Sequence, residues 1–314
     1  MTRVAAIDCG TNSIRLLIAE QDPTGRLVDL DRRLEIVRLG QGVDATGHFH
    51  PDALARTLAA VDSYGQLIEA AGVSAERIHF VATSAARDAR NHAEFFGGVE
   101  QRLGVVPDVI SGELEGQLSF TGALSRVRPT AGPVLVMDIG GGSTELIMGS
   151  AEGEIEQAVS LDIGSVRITE RFLPTSPPRP DDLERASRFI DGRLTQSAVD
   201  ISSVGTWIGV AGTATTVAAV CLGLPSYDRV LVHGSVIPKA QIAQLLAKLS
   251  SLTVDEIRAI PSMHPQRADV ITAGTLIAAR VASVTSATEL VVSESDILDG
   301  VALNLLPAAN GMSR

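Results

Sequence analysis

The sequence contains little lysine and little cysteine. Lysine occurs only at Lys239 and Lys248, so arginine carries nearly all the positive charge, and acidic residues still outnumber basic ones to give a net charge of −11 at pH 7. A surface with this balance has no general attraction for nucleic acid or for an anionic membrane, and we expect neither as a partner. Cys9 and Cys221 have no metal-ligand spacing, and HExxH and CxxC patterns are absent, so a tightly held zinc ion is not expected.

Signals for export and for membrane insertion are missing as well. No basic segment followed by an apolar one opens the chain, and the two cysteines suit reduced thiols, so we expect a cytoplasmic protein. Residues 201–227 carry no charge but are interrupted by several glycines and by Pro225, which predicts a buried strand, a glycine turn and a buried helix instead of a membrane span. The 314 residues, 45% hydrophobic and 20% charged, have a globular composition and allow two domains.

The chain is organised around residues 134–148, VLVMDIGGGSTELIM. An apolar run ends in Asp138, three glycines and two hydroxyl residues follow, and a second apolar run begins, which predicts a β-hairpin. Its tip would consist of backbone amides and hydroxyls, which suit phosphate oxygens. Asp138, at the strand end beside that tip, is where a hydrated magnesium ion would be held. A tight glycine hairpin without a ligand would have the same sequence.

A second copy of this pattern occurs at residues 4–18, VAAIDCGTNSIRLLI. A shift of 130 residues (138 − 8) places Asp8 on Asp138, with apolar runs at matching places. We therefore predict a duplicated hairpin, one in each half of the molecule, with both tips facing a shared cleft. The copies differ where Arg15 of the first corresponds to Glu145 of the second, so one half brings a cation and the other a carboxylate.

A further phosphate contact is predicted in TSAARDARN, residues 83–91, which follows a short strand expected at residues 78–82. Hydroxyls at a strand end, with Arg87 one turn into the next helix, suit a phosphate group. A helix N-cap followed by a solvated helix face explains the same residues equally well.

Two glutamates enter the helix expected to begin near Gly112. Glu113 and Glu115 are separated by about 200° around a helix of 3.6 residues per turn, so they cannot both face one site. Glu115 shares its face with the small residues Ser119 and Gly122, which leave room for a ligand, and a carboxylate in such a cleft suits a general base. The alternative is a surface glutamate near a helix N-terminus.

Residues 126–133, RVRPTAGP, combine two prolines and a glycine directly before the second hairpin copy. We place the main boundary there, which gives a first domain over residues 1–128 and a second over residues 129–299. In the second domain Gly164, Ser165 and Arg167 are candidates for ligand contact. The glycine-rich residues 209–216 either cradle phosphate or only turn the chain, and the role of Arg267 is left open.

Five motifs, taken in order, resemble those of the Ppx/GppA phosphatase family: DCGTNSIR at 8–15, TSAARDARN at 83–91, ISGELEGQL at 110–118, DIGGGSTEL at 138–146 and GVAGTATT at 209–216. As a set they are highly specific. The family comprises exopolyphosphatases and guanosine pentaphosphate phosphatases. The resemblance implies an α/β, two-domain actin-like fold built from duplicated ribonuclease H-like halves, with the active site in the interdomain cleft and residues 300–314 packing back on the first domain.

The sequence departs from the family pattern in three places. The family's catalytic glutamate falls on Glu115, but Leu114 stands where a first glutamate is usual. The segment VVSESDILDG, residues 291–300, lacks an arginine that the family often has there, which weakens any ligand role for it. We also expect the chain to lack the C-terminal helical domain of the longer members.

The resemblance implies a phosphoanhydride hydrolase dependent on magnesium, or on manganese in its place. We expect an exopolyphosphatase that releases orthophosphate from inorganic polyphosphate, prefers short chains and forms a homodimer. Glu115 would be the base, Glu145 a metal ligand or second base, and Asp8 and Asp138 would hold the metal. The expected phosphate-binding residues are Thr11, Asn12, Ser13, Arg15, Arg87, Gly141, Gly142, Ser143 and Thr144.

Other functions remain compatible with the sequence. Guanosine pentaphosphate (pppGpp) presents the same terminal phosphoanhydride as polyphosphate. The actin-like fold also occurs in small-molecule kinases and in non-hydrolytic polyphosphate- or nucleotide-binding proteins. A kinase needs an adenosine pocket, for which residues 209–216 are the candidate, and phosphate release without an acceptor would distinguish a hydrolase from a kinase.

Overall fold

The computed structural model describes residues 2–129, 131–197 and 199–306. The chain forms two compact units, one of Met1–Ser111 with Ile297–Arg314 and the other of Gly112–Asp296. Within the described ranges, every helix is too short or too polar to cross a bilayer.

The first unit contains a five-stranded sheet of order β3-β2-β1-β4-β5. Strands β1 to β3 form an antiparallel meander, and β4 and β5 run parallel to β1. The strands are β1 (Arg3–Cys9), β2 (Ser13–Gln21), β3 (Leu27–Ile36), β4 (Ile78–Ala82) and β5 (Asp108–Val109). The helices are α1 (Val43–Thr46), α2 (Pro51–Ala70), α3 (Ser84–Asp88) and α4 (His92–Leu103), with a 3-10 turn at Ala75–Arg77.

Helix α2 anchors the core of the first unit. It begins with Pro51, whose fixed φ suits a first turn, and the side chain of His50 accepts a hydrogen bond from the Asp52 amide. Its buried Tyr64 donates a hydrogen bond of 3.0 Å to the Ile14 carbonyl. Together α2 and α4 cover alternate residues of β1 and β2, so the opening hairpin is held from one side by a packed helix pair.

The second unit repeats this topology with one added edge strand. Its sheet has the order β10-β11-β9-β6-β7-β8, in which β6 to β8 form an antiparallel meander and β9 and β11 are parallel to β6. The strands are β6 (Val134–Ile139), β7 (Thr144–Gly149), β8 (Ile155–Leu161), β9 (Thr206–Val210), β10 (Val236–Pro238) and β11 (Glu289–Val292). The order β8-β7-β6-β9-β11 matches β3-β2-β1-β4-β5, which confirms the predicted duplicated hairpin.

Helices cover both faces of the second sheet. They are α5 (Gly112–Leu124), α6 (Ser165–Phe172), α7 (Pro180–Gln196), α8 (Ala211–Cys221), α9 (Arg229–Val232), α10 (Lys239–Ser250), α11 (Val254–Arg258) and α12 (Ile271–Val284), with 3-10 turns at Ile201–Ser203 and Pro265–Arg267. The uncharged residues 201–227 contain β9 and α8, so the buried strand and buried helix expected there are present.

Helix α5 belongs to the second unit, whereas the boundary expected at residue 128 would assign it to the first. The reason is close packing on β6 to β8. A Cβ built on Gly116 would lie 2.9 Å from Ile147 Cγ1, and Phe120 packs in a cluster with Val134 and Val136. The first unit is completed by α13 (Ile297–Leu305), which packs against β1 and β2.

A buried ion pair fixes α13 in the first unit. Arg32 of β3 donates a hydrogen bond of 2.8 Å to Asp299, whose side chain is fully buried. The returning segment expected at residues 300–314 therefore packs on the first unit over its described part, and residues 307–314 lie outside the described ranges.

Candidate active site

Three polar side chains form a row across β6, β7 and β8. In the antiparallel register Asp138 lies opposite Glu145, and Glu145 lies opposite Ser160. Directly opposed residues project from the same face of a sheet, with Cβ atoms about 4.5–5.5 Å apart. The face is the one covered by α5, since Val134 and Val136, which alternate with the buried core residues of β6, pack there with Phe120.

Helix α5 places the side chains of Ser119 and Glu115 next to this row. Ser119 Oγ donates a hydrogen bond of 2.8 Å to Asp138 Oδ2, and Ser160 Oγ donates one of 2.7 Å to Glu145 Oε1. The exposed fractions are 1% for Glu145, 6% for Asp138 and 9% for Glu115. Glu115 and Asp138 lie close enough to Glu145 for their charges to raise its pKa, so the three carboxylates form one buried group.

Glu145 is held in an unfavourable environment for its charge. Burial raises the pKa of Glu145 well above its ordinary value, the nearby charges of Glu115 and Asp138 raise it further, and hydrogen bonds from Ser160 and Ser143 oppose the shift. Its Oε2 atom is buried and has no hydrogen-bond partner in the described part of the chain. Such an arrangement needs a proton or a cation to balance it.

The glycine tip between β6 and β7 is oriented by α6. The Ser165 amide donates to Gly140 O at 2.9 Å, the Val166 amide to Gly141 O at 2.9 Å, and Arg167 Nε to Gly142 O at 2.7 Å. In a trans peptide the carbonyl and the next amide point in opposite directions. The amides of residues 141–143 therefore point away from α6 and form a concentration of donors suited to phosphate oxygens.

Gly164 allows α6 to approach the tip this closely, because a Cβ at that position would lie 2.2 Å from Gly141 O. The candidates Ser165 and Arg167 thus act on the carbonyl side of the tip, where they hold its backbone. Thr144 also differs from its expected phosphate contact: it is fully buried and its hydroxyl donates to Ile163 O.

The first unit builds its hairpin tip in the same way with different partners. Gly10 N donates to Ser13 O at 3.0 Å, and Gly140 N donates to Ser143 O at the same distance. Here the carbonyls of Thr11 and Asn12 accept from the backbone of residues 37–40, which turns the amides of Asn12 and Ser13 to the other side.

The first-unit row carries the opposite chemistry. Asp8 lies opposite Arg15, which donates to its Oδ2 from Nε at 3.0 Å and from an η nitrogen at 2.6 Å. The next residue in this row is Leu34, where the second unit has Ser160. Asp8 therefore has a cation beside it, whereas Asp138 has a second carboxylate, and the second unit is the better place for a metal ion.

Two other predicted contacts of the first unit are tied to its own loops. Thr11 Oγ1 and Ser84 Oγ lie 2.8 Å apart in a buried hydrogen bond at the start of α3. Arg87 donates from an η nitrogen to Ile110 O at 2.8 Å, which places its guanidinium beside the end of β5.

The glycine-rich residues 209–216 turn the chain from β9 into α8. Thr216 donates to Gly212 O at 2.6 Å, so its hydroxyl is used internally. The Arg267 guanidinium lies against Gly212, where a Cβ would be 1.5 Å from Nη1. Residue 212 must therefore be glycine for Arg267 to lie in this position.

In the segment at residues 291–300, the side chain of Glu294 is hydrogen-bonded to other side chains of the protein. Glu294 accepts hydrogen bonds from Tyr227 and, at 3.1 Å, from Arg229 Nε. Burial raises the pKa of Glu294, and the charge of Asp296 adds to the shift, while Tyr227 and Arg229 oppose it.

Comparison with known proteins places this geometry in a family. Residues 17–309 match the Ppx/GppA phosphatase family. This chain belongs to that family. It is 43% identical to Exopolyphosphatase 2 of Mycobacterium tuberculosis over 97% of this chain and 99% of that protein.

Two crystal structures show the same fold. The Ppx/GppA family member of Aquifex aeolicus is 32% identical, with a TM-score of 0.81 over 96% of this chain and 97% of the other. An exopolyphosphatase from Cytophaga hutchinsonii is 26% identical, with a TM-score of 0.88 over 95% of this chain and 96% of the other. The predicted actin-like α/β fold is confirmed.

Within this Ppx/GppA protein the helix-face prediction for α5 agrees with the geometry. Glu113 is exposed and Glu115 is buried on the side of Ser119, as their separation around the helix requires. The donor roles of Ser119 and Ser160 were missed. A polar residue at residue 160 near the end of an amphipathic strand was a weak signal, because the register of β7 against β8 is not visible in the sequence.

The buried charge of Glu145 predicts a gain in stability when it is removed. Since the pKa of Glu145 is raised in the folded state, the folded state loses stability as the pH rises from the unfolded carboxyl pKa, about 4.3, towards the folded one. We expect Glu145→Gln without metal to raise the free energy of unfolding by about 1–3 kcal/mol at pH 8, the range for an unpaired buried polar group. The gain should shrink towards pH 4.

Urea unfolding between pH 4 and pH 8 measures this effect. Glu113→Gln is the matched control, since it makes the same chemical change at an exposed position. It should change the free energy of unfolding by about 0.5 kcal/mol or less. A Glu145→Gln protein less stable than the unmodified chain at pH 8 would show that Glu145 has a stabilising partner in the folded state.

Proposed function

We propose that this chain is an exopolyphosphatase, which hydrolyses the terminal phosphoanhydride of inorganic polyphosphate and releases orthophosphate. The observation that carries the proposal is a buried group of three carboxylates beside a row of backbone amides in the second unit. The amides suit the oxygens of a phosphoryl group, and the carboxylates suit a base and a cation. The similarity to proteins named exopolyphosphatases supports the same reading.

Magnesium fits this donor set. In the described part of the chain no three His, Cys, Asp or Glu side chains are placed to hold a metal ion by themselves. Magnesium in phosphoryl-transfer sites is usually bound by one or two carboxylates and completed by water and substrate phosphate. Asp138 and Glu145 would supply these carboxylates. Glu145 Oε2 has no hydrogen-bond partner in the described part of the chain and is available to bind the ion. A bound magnesium ion would neutralise charge on the phosphate oxygens.

The protein groups then divide the work of hydrolysis. The amides of residues 141–143 bind and orient the terminal phosphoryl group. Glu115 orients the attacking water and accepts its proton. Phosphoryl transfer depends mainly on positioning and charge neutralisation, so a site of donors with one base is sufficient. The amides of Asn12 and Ser13 form a similar set of donors at the tip of the first unit.

A kinase is the alternative activity, and it differs from a hydrolase in requiring an acceptor for the phosphoryl group. Phosphate release from polyphosphate and from pppGpp, measured side by side without any acceptor and with or without magnesium, tests the proposal. Absence of phosphate release from polyphosphate would overturn it, and release from pppGpp alone would support the alternative substrate.

The assignment of the base is tested by a matched pair of variants. We expect Glu115→Gln to lower kcat for phosphate release by about 10²–10⁴-fold, the usual contribution of a general base, with substrate binding retained. Glu113→Gln, two residues away and exposed, should keep nearly full activity. A loss of about tenfold or less for Glu115→Gln would assign the base elsewhere.

The two hairpin aspartates should differ in their effect on magnesium. Because Asp138 lies beside Glu145 and Asp8 is paired with Arg15, Asp138→Asn should raise the magnesium concentration for half-maximal rate by about 10-fold or more. Asp8→Asn should leave that magnesium concentration nearly unchanged, because Asp8 is paired with Arg15. Equal shifts in magnesium dependence for the two variants would mean that both aspartates serve the metal.

We also propose a preference for short polyphosphate. The proposed phosphate donors are backbone amides at a hairpin tip, close to the bond that is cleaved, and the net charge of −11 gives the surface no general attraction for a long polyanion. The rate constant kcat/KM per chain end should therefore level off after the first few phosphate units. A steady rise through chains of hundreds of units, measured on purified lengths, would indicate an extended binding groove.

A further inference from the structure

The two oxygens of Glu145 have different surroundings. Oε1 accepts a hydrogen bond of 2.7 Å from Ser160 Oγ. Oε2 is buried, and no atom of the described residues donates a hydrogen bond to it. A buried acceptor without a hydrogen-bond partner is unfavourable, so its presence indicates the position of a ligand.

Ser160 is placed to create this difference. It lies directly opposite Glu145 in the β7–β8 register, and a serine hydroxyl on a neighbouring strand can donate only one hydrogen bond to the carboxylate. A buried glutamate has three side-chain torsions to fix, and a bond to one oxygen removes most of the alternatives. The other oxygen is then directed to a constant position.

The row of the first unit has an arginine at the position that corresponds to Glu145. There Arg15 replaces Glu145 in the row, its partner is Asp8, and Leu34 stands at the position corresponding to Ser160. In the second unit, by contrast, a serine hydroxyl donates to each carboxylate of the row, Ser119 to Asp138 and Ser160 to Glu145. The hydroxyl thus accompanies the carboxylate and is absent with the ion pair.

We propose that Ser160 is a positioning residue for the cation site: it fixes Glu145 through Oε1 so that Oε2 is presented to a divalent metal ion. The inference rests on the proposed function only in taking that metal ion to be the magnesium used in hydrolysis. Removing the hydroxyl leaves Glu145 free to change rotamer or to turn Oε2 towards other donors. Residues that hold a metal ligand in this way typically change metal affinity by about 10–100-fold when removed.

Three variants test the role of Ser160. Ser160→Ala removes the hydroxyl, and Ser160→Thr keeps it on a side chain well suited to a strand. Ser283→Ala is the control, since Ser283 is an exposed serine of α12 whose hydroxyl donates to the Arg280 carbonyl. The full chain is used throughout, and urea unfolding confirms that each variant is folded.

Metal affinity is measured without substrate by Mn²⁺ titration followed by electron paramagnetic resonance, with Mg²⁺ as competitor. We expect Ser160→Ala to weaken Mn²⁺ binding by about 10-fold or more and Ser160→Thr to restore it to within about twofold. In the activity assay the magnesium concentration for half-maximal rate should rise by the same factor, with KM for polyphosphate unchanged at saturating magnesium.

Each outcome decides the proposal. Unchanged Mn²⁺ affinity in Ser160→Ala, or a Thr variant as weak as the Ala variant, would overturn it, and so would the absence of Mn²⁺ binding by the unmodified chain. If the unmodified chain binds Mn²⁺ but releases no phosphate, the proposed hydrolysis fails, and the ratio of Mn²⁺ affinities still tests Ser160.

Discussion

The register between β6, β7 and β8 determines the chemistry of the second unit. It places Asp138, Glu145 and Ser160 in line on the face beneath α5, where Glu115 and Ser119 meet them. A shift of one residue in a strand moves every side chain to the opposite face. The carboxylate row would then point into the apolar core on the other side of the sheet. Burying Asp138 and Glu145 among the apolar residues around Leu135 makes that shift unfavourable.

The duplication preserved a backbone and changed its charges. Both units use the same strand order and the same hydrogen bond between the first glycine amide of the tip and a serine carbonyl. In the first unit the cross-strand pair is Asp8 with Arg15, a neutralised ion pair. In the second it is Asp138 with Glu145, an arrangement that needs a proton or a cation to balance it. The cross-strand pair therefore joins opposite charges in the first hairpin and two carboxyl groups in the second.

The amides at both tips are oriented indirectly. In each unit another segment holds the tip by its carbonyls, and the planar trans peptide then turns the amides to the opposite side. Helix α6 and Arg167 do this in the second unit, and residues 37–40 do it in the first. The glycines permit the close approach, which at Gly164 leaves no room for a Cβ.

Local patterns in the sequence were enough to predict the duplicated hairpins, the strand at residues 78–82 and the division of Glu113 and Glu115 between two helix faces. These features depend on neighbours within about one turn of helix or one strand, where backbone periodicity decides. The tertiary structure decided the remaining features. They are the assignment of α5 to the second unit, the pairing of Arg15 with Asp8, the hydrogen bond from the Thr144 hydroxyl to the Ile163 carbonyl and the hydrogen bond from Ser160 to Glu145. Each depends on strand register or helix packing. These bring together residues that are far apart in the sequence, and no local pattern in the sequence indicates which of them will be in contact.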